Sequence, residues 1–235
     1  MKILTRELSA QQDGIPGFIA YPDHAEGGPG LLIVHHHYGV TGHLNSTACN
    51  FAQLGYTTLV PDLYHLLGFT DHSDVQKKTT DDRFVQVIDQ GWRYLLGRKE
   101  IDGTRVGVVG FCMGGRVGIH FVAATPGVRA FLGFYPSVRE ESPSELRPRH
   151  PNDAVRDFSC PSLIFFGGRD HVASVPVQER LWASFHQNGQ PLEWHFFPYA
   201  GHGFALADGD CYDPTLTNLV WPLTADFFAR NLDNY

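Results

Sequence analysis

The chain is poor in cysteine, in positive charge and in long apolar runs, and each shortage removes a class of protein. Its four cysteines, Cys49, Cys112, Cys160 and Cys211, stand far apart with no C-x-x-C pair. That spacing argues against a disulfide framework or a cysteine-ligated zinc ribbon, and it reads as free thiols in a reducing cytoplasm. Lysine and arginine number 18 against 25 acidic residues, a net charge of −7. No basic stripe is available to neutralise phosphates, so nucleic acid is not an expected partner. No apolar stretch reaches the roughly 20 residues of a spanning helix, and Met1 to Glu7 lacks a secretory pattern, so no membrane partner is expected either. Repeats, linkers and low-complexity tracts are also missing. The expectation is one domain over residues 1–235, either monomeric or a homodimer.

What is present is an alternation of short apolar runs with helical periods. Leu31-Leu32-Ile33-Val34, Tyr56 to Val60, Val106 to Val109, Ala130 to Tyr135, Ser162 to Gly167 and Leu192 to Pro198 read as strands, preceded by an early strand over 15–22. Helical spacing falls at 44–54, 81–96, 116–124, 176–188 and 215–232. Strands alternating with helices predict an α/β fold, a mostly parallel sheet covered on both faces, with its site at the carboxyl ends of the strands. Residues 137–159 have no period and read as an irregular excursion or lid.

The chemistry centres on Gly110-Phe111-Cys112-Met113-Gly114. A valine-rich strand running into Gly-x-Cys-x-Gly and then a helix matches a nucleophile turn, in which the attacking side chain sits on strained backbone between two glycines. The helix N-terminus behind it favours a thiolate. Asp170 and then His202 follow at the ends of later strands. Their order is nucleophile, acid, histidine, the arrangement in which a base shuttles the proton and a carboxylate orients the base.

Gly110-Phe111-Cys112-Met113-Gly114-Gly115-Arg116, Pro61-Asp62-Leu63-Tyr64, Gly167-Gly168-Arg169-Asp170-His171 and Ala200-Gly201-His202-Gly203-Phe204 together resemble the dienelactone hydrolase (carboxymethylenebutenolidase) family. The resemblance runs through most of the chain and implies an α/β-hydrolase fold. It implies Cys112 as nucleophile, His202 as base and then acid, Asp170 as its orienter, and the backbone amides of His37 and Met113 as the oxyanion site. The expected activity is hydrolysis of a small-molecule ester or lactone through an acyl-enzyme, with no cofactor and no metal.

Two positions depart from the family pattern. The family usually carries a glutamate against the resting cysteine where this chain has His36, which predicts an imidazole beside the sulfur and a readily formed thiolate. The arginine that follows the catalytic histidine in dienelactone-cleaving members is replaced by Phe204-Ala205-Leu206. The expected substrate is therefore less anionic than dienelactone, held among His36, Tyr38, Tyr64, Tyr135, Phe204 and Leu206, with Arg83 as a second cation. Two alternatives stay open: a non-catalytic binding or sensor module, and a zinc-dependent hydrolase using His35-His36-His37. The strand alternation that would place His35 and His37 on one face and His36 on the other argues against the zinc reading.

Overall fold

The computed structural model describes residues 1–233. Its eight strands are β1 (Ile3–Leu8), β2 (Gly17–Pro22), β3 (Gly28–Val34), β4 (Thr57–Pro61), β5 (Ile101–Phe111), β6 (Phe131–Phe134), β7 (Ser162–Arg169) and β8 (Leu192–Gly201). They form one sheet in the order β1-β2-β4-β3-β5-β6-β7-β8. The β1–β2 and β2–β4 pairs are antiparallel, and every pair from β4 to β8 is parallel. The central strands are continuous apolar runs because both of their faces are covered: Leu31 to Val34 and Leu163 to Phe166 are fully buried. Strand β1 escapes the sequence reading. It is an edge strand whose exposed Thr5, Arg6 and Glu7 give no apolar signal, as suits an edge that must not pair further.

Five helices exceed two turns: α1 (Gly42–Gln53), α2 (Asp81–Leu96), α3 (Met113–Ala124), α4 (Val175–Asn188) and α5 (Pro214–Leu232). Helices α1 and α5 share one face, where the Phe51 ring lies 4.9 Å from Trp221 and 5.7 Å from Phe228. Helices α2 and α3 pack together on the other, with Trp92 and Phe121 edge to face at 5.8 Å. Each such ring removed from water contributes about 2–3 kcal/mol before entropy is set against it. A single turn, Val75–Lys78, forms between β4 and α2.

The parallel crossovers return every strand to the same side, so the ends of β3, β5, β6, β7 and β8 open onto one rim. Close backbone approach fixes the chain at that rim. A Cβ on Gly114 would stand 2.0 Å from the Val34 carbonyl oxygen, and one on Gly110 would stand 2.5 Å from the Gly114 oxygen. The two glycines of the motif are therefore needed for contact: they let α3 begin against β3 and β5 with no side chain between.

Candidate active site

Between those glycines Cys112 takes φ 53° and ψ −113°. For a residue with a Cβ this left-handed backbone costs about 1–3 kcal/mol and holds the side chain up out of the strand-to-helix turn. The turn is clamped on both sides: the Cys112 N–H donates to the Phe134 carbonyl at 3.0 Å, and its own carbonyl accepts from Ser137 N–H at 2.9 Å and Arg116 N–H at 3.1 Å.

Asp170, at the end of β7, accepts the amides of Val172 and Ala173 on Oδ1, each at 2.8 Å, which leaves Oδ2 directed elsewhere. That oxygen lies 2.9 Å from Nδ1 of His202, which follows β8. Nε2 of the same ring lies 2.9 Å from the Cys112 sulfur. The structure thus brings together the three residues that the motifs single out.

The electrostatics of the pair follow from these contacts. Burial pushes the Cys112 thiol up, but hydrogen bonds from His202 and His37, with their charge, outweigh it and bring it down to about 6. Burial pushes His202 down, yet Asp170 and the sulfur outweigh it and hold it up to about 9. Both shifts act in one sense, toward a thiolate paired with an imidazolium, and they belong to the two groups together.

The three adjacent histidines do not behave as a strand. Strand β3 ends at Val34, and a turn closed by Gly39 N–H on the His36 carbonyl at 3.1 Å rotates the following side chains. His35 is wholly buried, with Nδ1 donating to the His36 carbonyl at 2.7 Å and Nε2 accepting from the Leu63 amide at 3.2 Å. Both ring nitrogens are occupied and burial lowers it to about 4. His36 is buried too, its Nδ1 accepting the Tyr38 amide at 3.2 Å, and burial followed by the neighbouring histidines lowers it to about 3.

His36 is therefore not the imidazole at the sulfur. That neighbour is His37, whose Nδ1 lies 3.9 Å from Cys112 Sγ. Nor do the three rings converge as ligands, and among the described residues no group of three His, Cys, Asp or Glu side chains is placed to hold a metal. Of the residues whose amides are expected at the oxyanion site, Met113 follows Cys112 in the chain and His37 lines the same cleft as the sulfur. Met113 N–H is the first of helix α3 and lacks an intrahelical acceptor, while the His37 peptide is steadied by the Tyr64 hydroxyl, which donates to its carbonyl at 2.9 Å.

The cleft above the sulfur has a volume of about 330 Å³. Of the expected walls, Tyr38 and Leu206 line it. His36, Tyr64, Tyr135 and Phe204 do not: all four are wholly buried, and the Tyr135 ring packs edge to face at 5.2 Å against both His202 and Phe204. Arg83 is corrected as well, being exposed on α2 and bonded to Gln86 at 2.9 Å. The walls that the sequence reading missed are polar, namely Gln76, Arg139, His171 and Asp210, together with Cys211. None lies in a periodic segment; only Ser137, tied to the nucleophile turn, hints that Arg139 two residues on should be near.

The two sides of this cleft are held differently. On one, the 137–159 excursion is fastened by a buried ion network: Arg116 bridges Asp81 at 2.5 Å and Glu141 at 2.6 Å, and Arg147 lies 3.4 Å from Asp81. Arg147 also donates to the Thr79 and Gln76 carbonyls at 2.8 and 2.7 Å. On the other side, residues 204–213 are closed by Asp213 N–H on the Phe204 carbonyl at 2.9 Å and by successive turn bonds.

Known proteins are similar to this chain in sequence and in fold. The dienelactone hydrolase family model matches residues 15–232. A "Putative carboxymethylenebutenolidase" of Methylorubrum extorquens is 32% identical over 230 residues, spanning 93% of this chain and 78% of its own. The crystal structure of a "Putative Dienelactone Hydrolase" from Klebsiella pneumoniae superposes with a TM-score of 0.87 at 24% identity, over 98% of this chain and 100% of that one. A dienelactone hydrolase-like promiscuous phosphotriesterase from metagenomic libraries superposes at 0.77 with 16% identity, over 98% and 99% of the two chains. The structural likenesses speak to the fold, and the sequence matches to the family.

Proposed function

The chain belongs to the dienelactone hydrolase family, and on that premise we propose that it hydrolyses a small ester or lactone with Cys112 as nucleophile. One observation carries the reading: Asp170, His202 and Cys112 form an unbroken line of 2.9 Å contacts that ends in a cleft.

In this reading the thiolate attacks the carbonyl carbon, and the new oxyanion is met by the amides of Met113 and His37. The C–O bond breaks as the His202 imidazolium gives its proton to the departing alkoxide, leaving an acyl thioester on Cys112. Neutral His202 then takes a proton from water, hydroxide adds to the thioester, and expulsion of the sulfur restores the ion pair. Asp170 keeps the ring oriented throughout and stabilises its positive charge. No outside oxidant or metal enters the balance.

The polar walls redirect the substrate expectation. Arg139 is exposed at the cleft and has no ion-pair partner among the described residues, and Asp210 shares the same walls. These groups suit a substrate bearing polar substituents better than a purely apolar ester.

The test is exposure of the protein to a panel of lactones and to p-nitrophenyl acetate, followed by intact mass. An acyl group is expected on Cys112, and Cys112→Ala should lose about a thousandfold or more in turnover. Undiminished hydrolysis by Cys112→Ala would overturn the assignment.

A further inference from the structure

We infer that the side chain of His37 is a second imidazole donor to the Cys112 sulfur, holding the thiolate alongside the shuttle histidine while its own backbone amide serves the oxyanion. The inference rests on Cys112 being the nucleophile, and it adds a residue to the machinery that the family motifs leave out.

The placement is specific. His37 Nδ1 stands 3.9 Å from Sγ, longer than the 2.9 Å of His202 but within reach of the diffuse charge on sulfur. The residue is held in place: its backbone carbonyl accepts the Tyr64 hydroxyl at 2.9 Å, and its ring lies 3.8 Å, centre to centre, from the Tyr38 ring. With Nδ1 protonated, the ring donates to the thiolate. On the same turn, His36 has its Nδ1 engaged by the Tyr38 amide, and neither of its ring nitrogens makes a contact with the sulfur.

A second donor answers a difficulty in the reaction. His202 must turn from the sulfur toward the leaving oxygen to deliver its proton, and at that moment a buried thiolate with one partner would lose its stabilisation. Donation from His37 keeps the negative charge compensated while His202 moves. The other polar groups that face these residues are Tyr64 and Tyr135 from the buried side, Asp170 behind His202, His36 and Tyr38 on the same turn, and Arg139, His171, Asp210 and Cys211 from the cleft. Of the groups around the sulfur, His37 and His202 are the two that reach it with a ring nitrogen.

The experiment compares the full-length wild type with His37→Leu and His37→Asn. Alkylation by iodoacetamide is followed against pH on the Cys112 peptide by mass spectrometry, which separates it from Cys49, Cys160 and Cys211. Loss of a hydrogen bond to a charged group predicts that His37→Leu raises the midpoint by about one pH unit, slowing alkylation about tenfold below it. Above the new midpoint the variant should equal or exceed the wild type, because a more basic thiolate is the better nucleophile. His37→Asn returns an N–H near the position of Nδ1 and should restore the low midpoint.

A His37→Leu profile superimposed on the wild type would overturn the inference. So would an equal shift in both variants, which would assign the effect to packing rather than to a donor. Ester turnover by the wild type is the separate arm: its absence alongside a shifted alkylation profile would count against the hydrolytic reading and leave the His37 contact standing.

Discussion

His36 and His202 are both largely taken out of water, yet the first is lowered to about 3 and the second is raised to about 9. Burial acts on both in the same direction, against the cation. What separates them is the company of each ring. His202 has a carboxylate on one nitrogen and a thiolate on the other, whereas His36 accepts one backbone amide and its Nε2 meets no hydrogen-bond partner. The lesson is that solvent exclusion sets the penalty, and a partner of opposite charge decides whether the proton stays.

The most drastic way to break the contrast is Asp170→Asn, which would leave His202 nearly as poorly partnered as His36. The ring should lose both its orientation and its raised proton affinity, and kcat/KM for p-nitrophenyl acetate should fall by about a thousandfold or more. A loss below tenfold would mean that the carboxylate is not what sets His202 apart.

Stability against pH sharpens the same contrast. His35, His36 and His120 have folded values lowered to about 4, 3 and 3, each with burial as the first cause. Below about 6.5 the unfolded chain takes up protons that the folded rings refuse, so stability falls with acidification toward those folded values. The slope is at most about 1.4 kcal/mol per pH unit for each ring. The catalytic pair contributes little slope between about 6.5 and 9. There the folded pair keeps one proton on His202 with Cys112 ionised, and the unfolded pair keeps one on the thiol. Urea midpoints should therefore be nearly flat from neutral to mildly alkaline pH and fall below neutrality. A midpoint that rose on acidification would contradict the neutral assignment of the buried rings.

The smallest expected effect is that of His36→Asn, which keeps an acceptor for the Tyr38 amide but cannot be protonated. The cost at neutral pH should be about 1 kcal/mol in thermal or urea unfolding, and the acid slope should be reduced by one ring's share. An unchanged slope would remove His36 from the account.

The sheet was legible from the sequence wherever strands are buried on both faces, because runs such as Leu31 to Val34 and Val106 to Val109 leave no other use for so much apolar surface. The helices were legible from their period, and the three motif ends converge as their chain order suggests. Three things were hidden. Strand β1 carries exposed polar residues and has no apolar pattern. His36 and His37 exchange places because the pleat stops at Val34, and alternation has no meaning in the turn that follows. Arg139 and Cys211 reach the cleft on irregular chain, where position depends on distant hydrogen bonds rather than on any local rule.

One of those distant bonds carries a further consequence. Because Arg147 grips the Gln76 carbonyl and is itself held near Asp81, that side of the cleft takes its dimensions from an ion network outside the cleft, well away from the sulfur. The opposite side, residues 204–213, carries no ion pair among the described residues and is closed mainly by short-range turns, with one distant bond from Ala207 N–H to His43 Nδ1 at 3.5 Å. A change of substrate size in descendants of this chain would have to be absorbed there, by lengthening or reshaping 207–212, while the gripped side acts as the fixed jaw of a vice.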